Sequence, residues 1–200
     1  MAKKEYLDGY KKYAKEYSIH TSGKLIQFQL NHFISLLPKN ARILDAGCGS
    51  GRDSCYLAEE KMDVSAIDII PELLEEAKTR VKNVNFQLMD MTDVKFQECS
   101  FDGIWCMSSL SDVEKKDAPA VIKNFNSILK NNGILYIAVR EGSGEKVLEK
   151  GFFNDLPRFY AFYSQAELED VLVKNSFKII SSAISEANEV KWVEVFAKKE

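Results

Sequence analysis

The sequence predicts an α/β protein, a doubly wound, mostly parallel seven-stranded sheet that closes with an antiparallel C-terminal hairpin. Three observations carry that reading. An apolar run, Ile43–Leu44–Asp45–Ala46, passes directly into Gly47–Cys48–Gly49–Ser50–Gly51 and then into a helical pattern. From Ala41 onward short apolar runs alternate with helical stretches, the rhythm of parallel strands joined by crossover helices. About seven mostly polar residues separate the last two apolar runs, too few for a helical crossover, so those strands pair antiparallel.

Each element follows in order. Residues 3–17 carry Tyr6, Tyr10, Tyr13 and Tyr17 at spacings of three or four, which predicts one helix with an aromatic stripe. After a break at 18–23, Ile26, Leu30, Phe33, Ile34 and Leu37 mark the buried face of a second helix, with His32 on the solvated side and Pro38 as its stop. Strand one is 42–45, followed by a helix over 50–61. Strand two is 64–67, and Pro71 opens its helix at a first-turn position that runs to 81. Strand three is 84–89 and strand four 101–107; a helix over 116–130 ends at Asn131–Asn132–Gly133. Strand five, 134–139, is apolar throughout, as a central parallel strand with both faces buried must be. Residues 141–163 read as a long irregular segment rich in aromatics: Phe152, Phe153, Phe159, Tyr160, Phe162 and Tyr163. Ser164–Gln165–Ala166–Glu167 is a capping box for the last helix, and strands six and seven are 177–184 and 192–198.

Two hundred residues, 46% hydrophobic and 28% charged, predict one globular domain over 1–200, with 1–38 a helical lid and 39–200 the core. A net charge of −3 argues against nucleic acid or an anionic membrane as the main partner. No apolar run opens the chain and none reaches the roughly 18 residues of a membrane span, so a cytoplasmic location is expected. Four scattered cysteines (Cys48, Cys55, Cys99, Cys106) and two histidines predict neither a metal site nor a disulfide framework.

The glycine loop lets a ligand approach bare backbone, and the helix behind it turns free N–H groups toward that ligand. An acid 21 residues after Gly47, Asp68 at the tip of strand two, can accept two ribose hydroxyls and would repel a 2′-phosphate. Together, strand–GxGxG–helix, the acid ending strand two and the closing hairpin resemble the class I S-adenosylmethionine-dependent methyltransferases, in their small bacterial members, over about residues 13–198. Residues 85–91, Asn-Phe-Gln-Leu-Met-Asp-Met, resemble the segment that contacts adenine, and 101–107 the strand whose end faces the methyl donor.

The resemblance implies a Rossmann-like sheet, S-adenosyl-L-methionine as cofactor with S-adenosyl-L-homocysteine as product, and a small-molecule acceptor. No nucleic-acid or membrane partner is expected, and monomer and homodimer both stay open as the oligomeric state. Two alternatives stand beside it. One is a module that holds the cofactor without turnover. The other is a nicotinamide-dependent oxidoreductase, whose Gly-x-Gly-x-x-Gly needs glycine where Arg52 stands.

The cofactor set expected on this basis is Asp45, Gly47, Cys48, Gly49, Arg52, Asp68, Ile69, Asp90, Met91 and Cys106. Asp45 faces the ammonium end of a methionine moiety or holds the loop through its amides. Asp90 accepts from the adenine amine, and Ile69 and Met91 cover the ring. Cys48 fills the loop, with nothing near it in sequence to lower its pKa, and Cys106 lies in an apolar strand. Many small-molecule relatives carry histidine in the turn after strand four; here Ser109–Leu110–Ser111–Asp112–Val113 puts aspartate in that place. Asp112, His20 and Tyr160 are the candidate bases. Tyr13, Tyr17, Arg140, Arg158 and Tyr160 are the candidate acceptor residues, on the tyrosine helix and the segment after strand five.

Overall fold

The computed structural model describes residues 6–149, 156–187 and 189–200; Phe152 and Phe153 of the aromatic segment lie outside them. The chain opens with α1 (Asp8–Lys12), α2 (Ala14–Ser22) and α3 (Gln27–Ser35). The alternating part follows as β1 (Arg42–Ala46), α4 (Arg52–Glu59), β2 (Asp63–Asp68), α5 (Pro71–Arg80), β3 (Asn85–Leu88), β4 (Phe101–Met107), α6 (Ala118–Ile128) and β5 (Leu129–Arg140). It ends with β6 (Glu145–Leu148), β7 (Arg158–Ala161), α7 (Gln165–Lys174), β8 (Phe177–Ala187) and β9 (Val190–Lys199).

Seven strands form one sheet in the order β3-β2-β1-β4-β5-β9-β8. β1 runs parallel to β2 and β4 on either side, with Ile43 level with Val64 and with Gly103. β9 joins antiparallel to β5 and β8 joins antiparallel to β9, so the closing hairpin is as the short connection required. Successive side chains of a strand point to opposite faces, and here both faces are buried. Ile43, Tyr136 and Ala138 pack with Leu30 and Phe33 of α3 and Leu57 of α4, while Leu44, Leu135, Ile137 and Val139 pack with α6 and α7. Trp105 and Tyr136 stack at 4.0 Å between adjacent strands in the first of these layers.

Four expectations need correction. The tyrosine-rich stretch is two helices, since Tyr13 leaves helical geometry (φ −116°, ψ 29°); the break lets Tyr10 and Tyr17 meet edge to face at 5.2 Å. Segment 141–163 is not simply irregular: β6 and β7 pair antiparallel as a separate ribbon, Lys146 level with Tyr160. α6 ends at Ile128, and Asn131–Gly133 lies inside β5, where Asn132 (φ 63°) accompanies the register shift between Phe101 and Gly103. His32 is half-buried, its ring edge-on to Phe196 of β9 at 4.6 Å, because that strand passes under this side of α3. The capping box forms as read, Ser164 Oγ accepting from the Glu167 amide at 3.2 Å. Among the described residues no helix is long and apolar enough to cross a membrane.

Candidate functional site

The strand order reverses between β1 and β4, and at such a switch point the loops part and leave a crevice at the carboxyl ends of the strands. A cleft of about 710 Å³, counting its open mouth, lies there. The loop after β1 contributes Gly47 and Gly49, the tip of β2 Asp68 and Ile69, and the segment after β3 Met89, Asp90 and Met91. The turn after β4 adds Ser108, Ser109, Asp112 and Val113; Leu7, Tyr10 and Tyr17 come from the N-terminal segment and Arg158 from β7. A smaller cavity shares Tyr17, Gly47, Gly49 and Met107 with it and extends toward α4, lined by Asp45, Cys48, Arg52 and Asp53.

The two glycines that separate these spaces differ in role. Both have positive φ, 77° at Gly47 and 55° at Gly49. A Cβ on Gly47 would fall 2.2 Å from Ser109 Cβ, so the turn after β4 requires glycine there. A Cβ on Gly49 would meet only the Tyr17 ring edge at 3.7 Å, because that residue opens on cavity space. The loop amides are largely spent inside the protein. Gly47 and Cys48 donate to the Ile67 carbonyl at 2.8 and 2.9 Å, Gly49 to Asp68 Oδ2 at 2.8 Å and Gly51 to the Cys48 carbonyl at 3.0 Å. At these four positions the loop offers bare Cα surface rather than free donors.

The acids are held apart by different partners. Asp68 also accepts from the Ile70 amide at 2.9 Å; burial pushes its carboxyl up to about 6 against those amide bonds. Asp45 accepts from Ser54 Oγ at 2.5 Å, and burial, then the charge of Asp53, push it up to about 7. Asp53 takes Arg52 in a two-pronged pair at 2.6 and 2.8 Å and accepts from Trp105 Nε1 at 3.0 Å. Asp90 spends Oδ1 on the amide and hydroxyl of Thr92, each at 2.8 Å, which caps the short turn Met91–Asp93.

Of the candidate bases, Asp112 alone lines the cleft, accepting from Tyr10 OH at 3.2 Å. His20 is exposed on α2, with Nε2 2.5 Å from Lys24 Nζ, and lines neither cavity. Tyr160 is buried and lines neither cavity, and burial raises its phenol pKa. Of the acceptor candidates, Tyr17 and Arg158 reach the cleft. Tyr13 does not, because the break between α1 and α2 turns Tyr10 inward instead. Arg140 does not, because its guanidinium rests 4.2 Å from the Tyr160 ring.

Cys106 is fully buried with Sγ 3.2 Å from Ser109 Oγ, facing the core; its neighbour Met107 faces the cavities. Cys48 lines the smaller cavity, and burial raises its thiol well above the usual range. Sequence reasoning missed Leu7, Tyr10, Met89 and Ser108. The only available signals were the stripe position of Tyr10 and the closeness of Met89 to Asp90 and Met91. It also missed Asp53 and Trp105, which meet across 52 positions. Among the described residues no three His, Cys, Asp or Glu side chains gather as a metal site.

This sheet order, with a glycine loop under an acid-tipped neighbouring strand, is the fold of the class I S-adenosylmethionine-dependent methyltransferases. Residues 43–133 match the family described as a methyltransferase domain. The chain is 34% identical over 108 residues to a ubiquinone biosynthesis O-methyltransferase of Xanthomonas axonopodis pv. citri, a match covering 52% of this chain and 44% of that relative. It thus spans less than half the length of that curated relative.

Among solved structures, a methyltransferase of Methanosarcina mazei superposes with a TM-score of 0.77 at 21% identity, covering 84% of this chain and 96% of that one. The 1,6-didemethyltoxoflavin-N1-methyltransferase of Burkholderia thailandensis, solved with its substrate and S-adenosylhomocysteine, gives 0.69 at 22%, covering 98% and 84%. At these identities the structural likeness establishes the fold alone.

Proposed function

We propose that this protein transfers a methyl group from S-adenosylmethionine to a small acceptor. The observation that carries the reading is the pair of connected cavities that part at Gly47 and Gly49, one with Asp68 and one with Asp45, Asp53 and Arg52. The residues present fit the donor. Its adenosine belongs in the larger cavity, with Asp68 on the ribose, Asp90 toward the adenine amine and Ile69 and Met91 against the ring. Its amino-acid end belongs in the smaller cavity, the ammonium toward Asp45 and the carboxylate toward Arg52. Gly49 supports this directly, since its open side gives a ligand room to pass against the backbone.

When bound, S-adenosylmethionine supplies a methyl already activated by its sulfonium, so the protein's part is alignment and exclusion of water. Tyr10, Tyr17 and Leu7, from the segment before α3, and Arg158 of β7 enclose the cleft opposite the sheet. We assign these elements the lid role and Asp112 the proton of any acceptor that must lose one. Burial raises the pKa of both Tyr10 and Tyr17, so they remain phenols and serve as walls.

Isothermal calorimetry with S-adenosylmethionine, S-adenosylhomocysteine and NAD tests the donor. Either sulfur compound binds, NAD does not, and Gly49→Val abolishes binding in a folded protein. NAD binding as tightly as S-adenosylhomocysteine would overturn the reading.

A further inference from the structure

Arg158 brings to the cleft a charge that Asp112, Tyr10 and Tyr160 surround but whose donors they do not all satisfy. Its guanidinium carbon lies 4.8 Å from the Tyr10 ring centroid and 4.4 Å from that of Tyr160. Nη2 reaches the two Asp112 oxygens only at 3.5 Å, the outer limit of a hydrogen bond. Among the described residues the buried Nε has no partner at all. Burial opposes the charge, while the Asp112 carboxylate beside it favours it. A desolvated guanidinium with an orphaned N–H is expensive unless something completes it.

The geometry says what completes it. Aromatic rings cover guanidinium faces, whereas its donors lie in the plane at the edge, where paired N–H groups match the two oxygens of a carboxylate. Charge limits the choice further. Asp68, Asp90 and Asp112 line the same cleft with Arg158 as the cation among its described lining, so each negative charge beyond the one Arg158 can pair is repelled. Leu7, Leu73 and Val113 give the cleft an apolar wall.

We propose that Arg158 recognises a carboxylate on the methyl acceptor, which is therefore a small monocarboxylic acid with an apolar body. This rests on the methyl-transfer reading, and the test separates the two. Benzoate and phenylacetate are titrated against benzamide, phenylacetamide and phenyl phosphate, with the protein saturated by S-adenosylhomocysteine and again without it. The acids bind at least about tenfold tighter than their amides and than phenyl phosphate. They also shift the Arg158 Nε–H resonance in ¹⁵N-edited spectra. Arg158→Gln and Arg158→Lys both lose the acid preference, the lysine because it keeps the charge without the planar fork.

Acids binding no better than amides, or a preference surviving in Arg158→Gln, overturns the inference while leaving the donor reading intact. So does a tenfold loss of S-adenosylhomocysteine affinity in Arg158→Lys, which would assign the guanidinium to the donor's own carboxylate. Failure of S-adenosylhomocysteine to bind wild type overturns the donor reading, and the acid–amide comparison on the free protein then decides anion recognition alone.

Discussion

Asp68 and Asp45 end neighbouring strands, yet their surroundings ask different things of them. Asp68 is already bonded to two backbone amides, so a ribose would use its remaining lone pairs. Asp68→Ala removes those acceptors and leaves the Gly49 amide unpaired. We expect at least a tenfold loss of S-adenosylhomocysteine affinity by calorimetry, at about 1.5–3 kcal/mol per charged hydrogen bond less what water recovers; an unchanged constant would reduce Asp68 to a loop brace. Asp45 offers a pH test. Its folded-state pKa, about 7, lies above the ordinary carboxylate value, so its contribution to stability is whole in acid and lost as pH rises through 7. The ligand-free protein should therefore lose stability between pH 5 and 7 by up to about 1.4 kcal/mol per pH unit from this group. Asp45→Asn keeps an acceptor for Ser54 and should flatten that slope in urea titrations; an equal slope in the variant would refute the assignment. The motif marked both aspartates in the sequence. Their bonds to Gly49, Ile70 and Ser54 were not readable, since they depend on how the loop folds back.

At the scale of elements, the pieces enclosing the cleft are the ones whose shape the sequence left least defined. α1, α2 and the β6–β7 ribbon cover the carboxyl edge of the sheet and contribute Tyr10, Tyr17 and Arg158. If they close over a bound donor, amides in 6–20, 141–149 and 156–163 gain hydrogen-exchange protection with S-adenosylhomocysteine, and absence of that gain refutes the lid. The periodic core elements were legible because each repeats its pattern locally: β4 has the bounds the apolar run gave, and α7 starts where its capping box put it. Ser164→Ala should cost about 1 kcal/mol in chemical denaturation without altering donor affinity. The tyrosine stripe misled because four rings at helical spacing suit one helix or two. Contact with α5, where Leu7, Tyr10 and Ala14 bury against Ile70 and Leu73, selects the broken form.

For the molecule as a whole, the cleft joins the N-terminal helices, four strand ends and β7, so a ligand there ties together distant parts of the chain. S-adenosylhomocysteine at about a hundred times its dissociation constant should stabilise the protein by about 2.7 kcal/mol in a thermal melt; no shift would mean that the cleft does not hold it in the folded state. The sequence by itself determined the strand and helix alternation, the closing hairpin, the glycine loop and the acid at the tip of β2. Each of these is written in a short window: a period of two or 3.6, a capping box, a connection too short for a crossover. Only the tertiary structure decided which tyrosines face the cleft, that Cys106 turns to the core while Met107 faces the cavities, and that Arg158 and Asp112 share one end of it. Tyr10 and Asp112 meet across 102 positions and Arg158 and Asp112 across 46. Such meetings are set by the packing of whole elements against one another, which no local pattern encodes.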